Sequence, residues 1–119
     1  MEKKERLLRE LENYSTIGKK IYFKDKSRKR YSIVGKVEDE VAVWDKKYGY
    51  KHFIQKIKYS EEMKMKMKIY KNAKYGFRFG YYTHDAKFRR IVWGQYASHM
   101  PEDMFRDLIG QAKHKFLDK

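Results

Sequence analysis

The stretch EVAVWDKKYGYKHFIQKIKY, residues 40–59, decides the fold that the sequence predicts. Val41 and Val43 recur with a period of two and therefore share one face of a strand. Ala42 and Trp44 take the other face. A glycine turn follows, and strand-forming residues then continue through the second half of the stretch. The pattern indicates two consecutive β-strands joined by a short turn.

The same period of two extends along most of the chain, and the apolar spacing becomes helical only at its two ends. Helices are predicted over about 2–15 and 101–117. Strands are predicted at about 19–24, 30–37, 40–45, 50–59, 63–70, 76–83 and 88–94. This order is typical of an α+β fold. We therefore predict a single domain, 1–119, built on a strongly bent antiparallel sheet or small barrel of about six to seven strands, flanked by N- and C-terminal helices.

The segment MKMKMKIY, residues 63–70, permits two interpretations. Methionine and lysine both favour helices, but in a helix the apolar residues would scatter around its circumference. In a strand the methionines share one face, and Lys64, Lys66 and Lys68 share the other. We predict a strand whose lysines lie about 7 Å apart, a spacing comparable to that of successive phosphates. The alternative is an exposed edge strand whose lysines prevent aggregation.

Composition favours a packed intracellular domain. Charged residues make up 39% of the chain, but aromatic residues make up 17%, which is enough to build a core. No apolar run is long enough to cross a bilayer, and the sequence contains no cysteine. We therefore expect a cytoplasmic protein without membrane contact, disulfide or thiolate metal site.

Positive charge is concentrated in the middle of the chain. The net charge is +14; residues 19–36 carry +7 and residues 46–90 carry +11. The intervening residues 37–45 are acidic and carry −4. Such asymmetry creates a positive field over part of the molecule and favours binding to a polyanion. The predicted partner is nucleic acid, with DNA and RNA both open.

Basic and aromatic residues interleave in KYGFRFGYYTHDAKFRRIVWGQY, residues 74–96. A hairpin with the four-residue loop HDAK would pair Tyr82 with Arg89. On the same surface it would pair Arg78 with Trp93. Single-stranded nucleic acid needs both groups, because bases stack on aromatic rings while phosphates pair with cations. The alternative is cross-strand cation–π packing beneath a covering helix.

The predicted contacts to nucleic acid combine these segments with the first hairpin loop. Tyr82 and Trp93 would stack on bases or pack on sugars, and the basic residues would contact phosphates. The complete set is Lys26, Arg28, Lys29, Arg30, Lys64, Lys66, Lys68, Arg78, Tyr82, Lys87, Arg89 and Trp93.

Two other functions compete with nucleic-acid binding. A basic face could bind an acidic protein partner, or the acidic residues 38–40 of a second copy in a homodimer. A small metal-independent ribonuclease could use His84, Arg89 or Tyr82 as acid–base and phosphate-binding groups. No HxH, HExxH or CxxC spacing is present, so neither a metal nor a cofactor is predicted. Binding without catalysis is the preferred interpretation.

Overall fold

The computed structural model describes residues 2–25, 30–66, 72–94 and 98–118. It is an α+β fold with one five-stranded antiparallel sheet and helices towards both ends of the chain. The elements are α1 (Lys3–Glu12), β1 (Lys20–Asp25), β2 (Arg30–Asp45), β3 (Tyr50–Tyr59), α2 (Glu61–Lys66), β4 (Tyr75–His84), β5 (Ile91–Trp93) and α3 (Glu102–Ala112), followed by the π-helical segment Lys113–Leu117. The strand order in the sheet is β1-β2-β3-β4-β5, so each strand lies beside its neighbours in sequence.

The α+β class and the antiparallel sheet are confirmed, but the described residues form five strands where about six to seven were predicted. The strands predicted at 30–37 and 40–45 form one strand, β2, which runs through the acidic corner. Glu40 explains why no turn forms there. Its carboxylate is buried and accepts a hydrogen bond from Gln55 Nε2 at 2.7 Å, so the acid is satisfied inside the sheet.

The prediction of a strand over 63–70 is wrong for residues 63–66, which belong to α2. Ser60 caps this helix, because its hydroxyl accepts a hydrogen bond from the amide of Met63 at 3.0 Å. Two glutamates occupy the first turn, where negative charge favours a helix. Capping and propensity therefore outweigh the alternating pattern. Residues 67–70 lie outside the described part of the chain.

The chain forms two compact units. The first unit consists of Met1–Ser15, Val41–Ile54 and Phe79–Lys119. The second unit consists of Thr16–Glu40 and Gln55–Arg78. Strands β2, β3 and β4 contribute residues to both units.

In the first unit, helices cover both faces of the sheet. Val41 and Val43 of β2 pack in one buried cluster with Leu108 and Ala112 of α3. The alternate residues of the same strand, Ala42 and Trp44, pack against a second cluster, which contains Leu11 of α1 together with Phe53 and Tyr82. The predicted alternation in β2 is thus confirmed, and each of its faces packs against a different helix.

The register of the last hairpin differs from the prediction. Tyr82 lies opposite Trp93, not Arg89, because the loop before β5 is longer than HDAK. Asp85 organises this loop: its Oδ1 accepts hydrogen bonds from the amides of Arg89 at 2.6 Å and Arg90 at 3.0 Å. The Arg90 amide contributes most to stabilising the carboxylate, and the pKa of Asp85 is lowered as a result.

Candidate nucleic-acid interface

The structure brings Tyr82 and Trp93 together, but their accessibility differs. Tyr82 is only 3% exposed, with its ring edge-on to Tyr14 at 4.8 Å between centroids and 4.5 Å from the ring of Phe53. A base has no open face of Tyr82 on which to stack, so the stacking prediction does not hold for this residue. Trp93 is 44% exposed and stacks on Phe53 at 5.0 Å, which leaves part of its indole accessible.

Arg78 lies in a polar network inside the second unit. Its Nε and Nη2 atoms both donate to Gln55 Oε1, at 3.0 and 2.6 Å. The amide nitrogen of the fully buried Gln55 donates in turn to Thr16 and Glu40. The guanidinium therefore holds a buried amide in place, and the predicted pairing of Arg78 with Trp93 is wrong because the hairpin register differs.

The predicted row of lysines on a strand does not form. Lys64 lies on α2, where its ammonium is 3.4 Å from the carboxylate of Glu61. Lys66 is the last residue of the same helix, and Arg30 is the first residue of β2. Four of the predicted basic residues lie outside the described residues: Lys26, Arg28, Lys29 and Lys68.

The remaining predicted residues lie in the loop between β4 and β5. Lys87 is exposed, and the guanidinium of Arg89 is 3.4 Å from Asp85 Oδ2. Nδ1 of His84 donates a hydrogen bond to the carbonyl oxygen of Asp85 at 2.9 Å, and the His84 ring stacks on Phe88 at 4.0 Å. Tyr82, the third residue suggested for a ribonuclease, is buried.

A different basic surface, which sequence reasoning missed, lies on the second unit. Gly35 of β2 closely approaches Ile57 and the backbone of Lys58 on β3, so Gly35 and Ile57 meet on the buried side. Side chains alternate along a strand, and the next residues along, Lys36 and Lys58, therefore point to the opposite side. Both of these lysines are exposed.

Aromatic rings of β4 lie on the same exposed side. Gly76 lies against the ring of Tyr59 on the buried side, which directs its neighbours Tyr75 and Phe77 outward. The ammonium of Lys56 lies 4.2 Å from the centroid of the Tyr75 ring, in cation–π contact. Phe77 is 53% exposed.

Across β1 and β2, Lys20 is the direct partner of Lys36 in the antiparallel register. Directly opposite residues of antiparallel strands share a face, so Lys20 joins the exposed side. We refer to these residues together as the basic face: Lys20, Lys36, Lys56, Lys58, Tyr75 and Phe77. In the sequence, the Lys-Ile-Lys alternation at 56–58 indicates the basic face, because the two lysines lie on the same side of the strand.

The second unit also carries most of the excess charge. It contains sixteen basic and six acidic side chains, a net of +10 out of +14 for the whole chain. The field near this unit is therefore strongly positive, and it draws polyanions to whichever of its surfaces is accessible.

His52 is fully buried in the first unit, and its Nδ1 lies 2.6 Å from Ser98 Oγ. Burial disfavours the charged imidazolium and lowers the pKa of His52; Asp45 opposes this shift and His99 adds to it. The imidazole is therefore neutral at pH 7.

We expect the stability of the protein to fall as the pH decreases below 6.5, the ordinary pKa of histidine. In this range the unfolded chain takes up a proton at His52 that the folded chain does not, so acidification favours unfolding. The pKa of Asp85 is lowered from the ordinary value of a carboxyl group, so this residue affects stability only at more acidic pH. Thermal melts between pH 7 and pH 5 should show a smaller decrease for His52→Gln than for the wild type, with His114→Gln as the matched control. An equal decrease in all three proteins would contradict the role of His52.

No group of three or more histidine, aspartate or glutamate side chains suited to a metal ion occurs among the described residues. In the same part of the chain, no helix has the length and apolar character needed to cross a bilayer. Comparison with protein-family models, curated proteins and solved structures finds no match to this chain.

Proposed function

We propose that this protein binds single-stranded nucleic acid without catalysis, through the basic face of its second unit. The observation that carries the proposal is the direct opposition of Lys20 and Lys36 across β1 and β2. Like charges in directly opposite positions destabilise a sheet. A polyanion lying along the strands converts this repulsion into two favourable contacts.

The geometry of the basic face suits a single strand better than a duplex. The exposed ring of Phe77 and the half-buried ring of Tyr75 offer surfaces for stacking, while the lysines beside them, such as Lys56, offer charges for phosphates. This combination is the one by which proteins bind single strands with little sequence preference. A duplex keeps its bases stacked inside and would use only the lysines.

An acidic protein is the competing partner for the same lysines. The suggested contact with residues 38–40 of a second copy is less favourable, because Glu40 is buried and already bonded to Gln55. An acidic partner would also have no use for the exposed ring of Phe77. Removal of this ring should therefore weaken the binding of nucleic acid and leave the binding of an acidic protein unchanged.

The first test is salt dependence. A face that neutralises about four phosphates of a single strand should give a slope of log K against log[salt] near −3. Changing Lys36 and Lys58 together to Gln should weaken binding and reduce the slope to about −1.5, because two counterions fewer are released. Fluorescence anisotropy with a labelled oligonucleotide of about twelve nucleotides measures both quantities.

The matched control is Lys3→Gln with Lys113→Gln, which removes the same charge from exposed positions of the first unit. Phe77→Ala should cost about 1–3 kcal/mol of single-strand affinity through lost stacking. If the control weakens binding as much as the Lys36 and Lys58 pair, only overall charge matters and the basic face is not the site. If Phe77→Ala has no effect while poly-glutamate competes fully, the partner is an acidic protein.

A further inference from the structure

A cleft of about 500 Å³ opens in the first unit, and its walls are aromatic. Tyr48, at its mouth, is 58% exposed and stacks on Tyr50 with 6.0 Å between centroids and 23° between ring planes. Tyr50 in turn contacts the ring of Tyr81 at 5.1 Å. Three tyrosines thus form a continuous series of rings from solvent into the cleft. The complete lining is Asp45, Tyr48, Tyr50, His52, Tyr81, His99, Met100 and Pro101.

His52, which lines the cleft, has a buried ring nitrogen without a hydrogen-bond partner among the described residues. Nε2 of His52 has no partner among the described residues, although the other ring nitrogen is bonded to Ser98. Buried polar atoms are normally satisfied, so Nε2 needs a partner from outside the described residues, and a ligand in the cleft can supply it. Because the Ser98 hydroxyl can donate or accept, Nε2 can present either a lone pair or a proton to that ligand.

Asp45 adds a buried carboxylate to the same lining. Its Oδ1 accepts only a long hydrogen bond from the amide of Tyr48, at 3.4 Å, among the bonds resolved for the described chain. The carboxylate therefore has acceptor capacity left for a ligand with N–H groups. Lys47 lies beside the mouth, with its ammonium 5.3 Å from the centroid of the Tyr48 ring.

We propose that this cleft binds a nucleobase, with guanine preferred, as a base-recognition site of the nucleic-acid binder proposed above. The base stacks on the tyrosines, its N1–H and exocyclic N2–H groups donate to Asp45, and its remaining polar edge bonds to His52. Guanine is preferred because its N1–H and N2–H groups form a two-donor edge that matches a carboxylate. The proposal deepens the proposed function and rests on it for the biological ligand, but the cleft can be tested with free nucleotides.

Entry of the base requires one local movement. Nε2 of His52 has no exposed surface, so a neighbouring ring must turn aside before a ligand reaches it. Tyr50 is half-buried and borders the cleft, with its ring centroid 6.0 Å from that of the imidazole, and rotation of this ring is the movement that the proposal requires. Rotation of such a side chain needs no change in the backbone.

A small organic cation is the other ligand that a tyrosine cleft with a carboxylate accommodates. Two observations favour the base. The ammonium of Lys47 already lies at the ring of Tyr48, and the chain carries a net charge of +14 that repels free cations and attracts the phosphate of a nucleotide.

Isothermal titration with GMP, AMP, CMP and UMP, and with choline as the cation probe, tests the proposal directly. We expect GMP to bind more tightly than the other three nucleotides. Tyr48→Ala should weaken GMP binding about tenfold, and Asp45→Asn should remove the preference for GMP over AMP. Tyr22→Ala, which removes an equally exposed tyrosine from the second unit, is the matched control and should bind GMP as the wild type does.

Three results would overturn the inference. Binding of choline without nucleotides would make the cleft a cation site. Equal binding of all four nucleotides, unchanged in Asp45→Asn, would mean that the protein attracts only their phosphate groups and does not recognise the base. Absence of binding to every probe would show that the cleft takes no such ligand. Failure of the proposed function can be distinguished from failure of this inference. Binding of a guanine-free oligonucleotide such as poly-dT tests the basic face alone. Changing Lys36 and Lys58 to Gln should leave GMP binding unchanged if the two sites are independent.

Discussion

Replacing Phe53 by Ala should lower the free energy of unfolding by about 3–5 kcal/mol, because the substitution removes a fully buried ring from a packed core. Phe53 lies at the centre of the cluster beneath α1. Its ring is 5.0 Å from that of Trp93 and 4.5 Å from that of Tyr82, and it also contacts Gly80. Protein cores relax only partially around such a deletion, so a cavity should remain.

Urea denaturation followed by far-UV circular dichroism measures this loss. Phe105→Ala is the matched control, since it removes a ring of the same size from an exposed position of the same unit and should change stability by about 0.5 kcal/mol or less. Typical domains have only about 5–15 kcal/mol of stability in total, so Phe53→Ala should be close to unfolding at 37 °C. A change of about 1 kcal/mol or less would mean that the cluster around Phe53 is not the core of the first unit.

The parts of the fold that could be predicted are strands with a long alternating pattern whose two faces both pack against a hydrophobic core. The strand expected over 50–59 is observed as Tyr50–Tyr59, and the alternation of Val41 with Ala42 separates residues that pack on different helices. In these segments local preference and tertiary burial favour the same structure, and the pattern alone is sufficient.

Alternation failed where local signals opposed it. In residues 63–66 the methionines and lysines alternate, but Ser60 and the glutamates that follow provide a helix start at short range. An alternating pattern predicts a strand only when a neighbouring strand is available to pair with. Capping groups act within one turn and need no such partner, so they determine the structure of this segment.

The register of the last hairpin could not be derived from the sequence for a different reason. It depends on loop length, and the loop is determined by Asp85, whose carboxylate binds two backbone amides several residues later. Nothing in HDAK distinguishes such a loop from a four-residue turn. A shift in register changes which side chains are opposite one another, so every site built on the predicted pairing changed with it.

Sequence reasoning placed the charge correctly along the chain but not on a surface. A row of lysines within one segment is visible by inspection, whereas the basic face combines Lys20, Lys36 and Lys58 from three strands. Lysines from different strands share a face only if the buried sides of those strands coincide. Contacts between the strands identify the buried side of each one. The Gly35–Ile57 contact is long-range and has no signature in the sequence.

Gly35 leads to the second large expected effect. A Cβ atom at this position would overlap the backbone carbonyl oxygen of Lys58 and lie 3.0 Å from a side-chain methyl of Ile57. Backbone cannot move aside as a flexible side chain can, so β2 and β3 would have to separate. We expect Gly35→Ala to destabilise the protein by about 1–3 kcal/mol or more through this overpacking.

Gly110→Ala is the matched control, because a Cβ atom on Gly110 in α3 meets nothing within 4 Å. Alanine is the better helix former, and this variant should gain about 0.5–1 kcal/mol of stability. Denaturation of both variants measures the stability change, and anisotropy measures binding of the same oligonucleotide. Since Gly35 brings Lys36 and Lys58 to one face, Gly35→Ala should also weaken nucleic-acid binding while it is still folded, whereas Gly110→Ala should bind as the wild type does. If folded Gly35→Ala bound with unchanged affinity, the close approach of β2 and β3 would matter for the fold alone, and the lysines beside it would not form the binding surface.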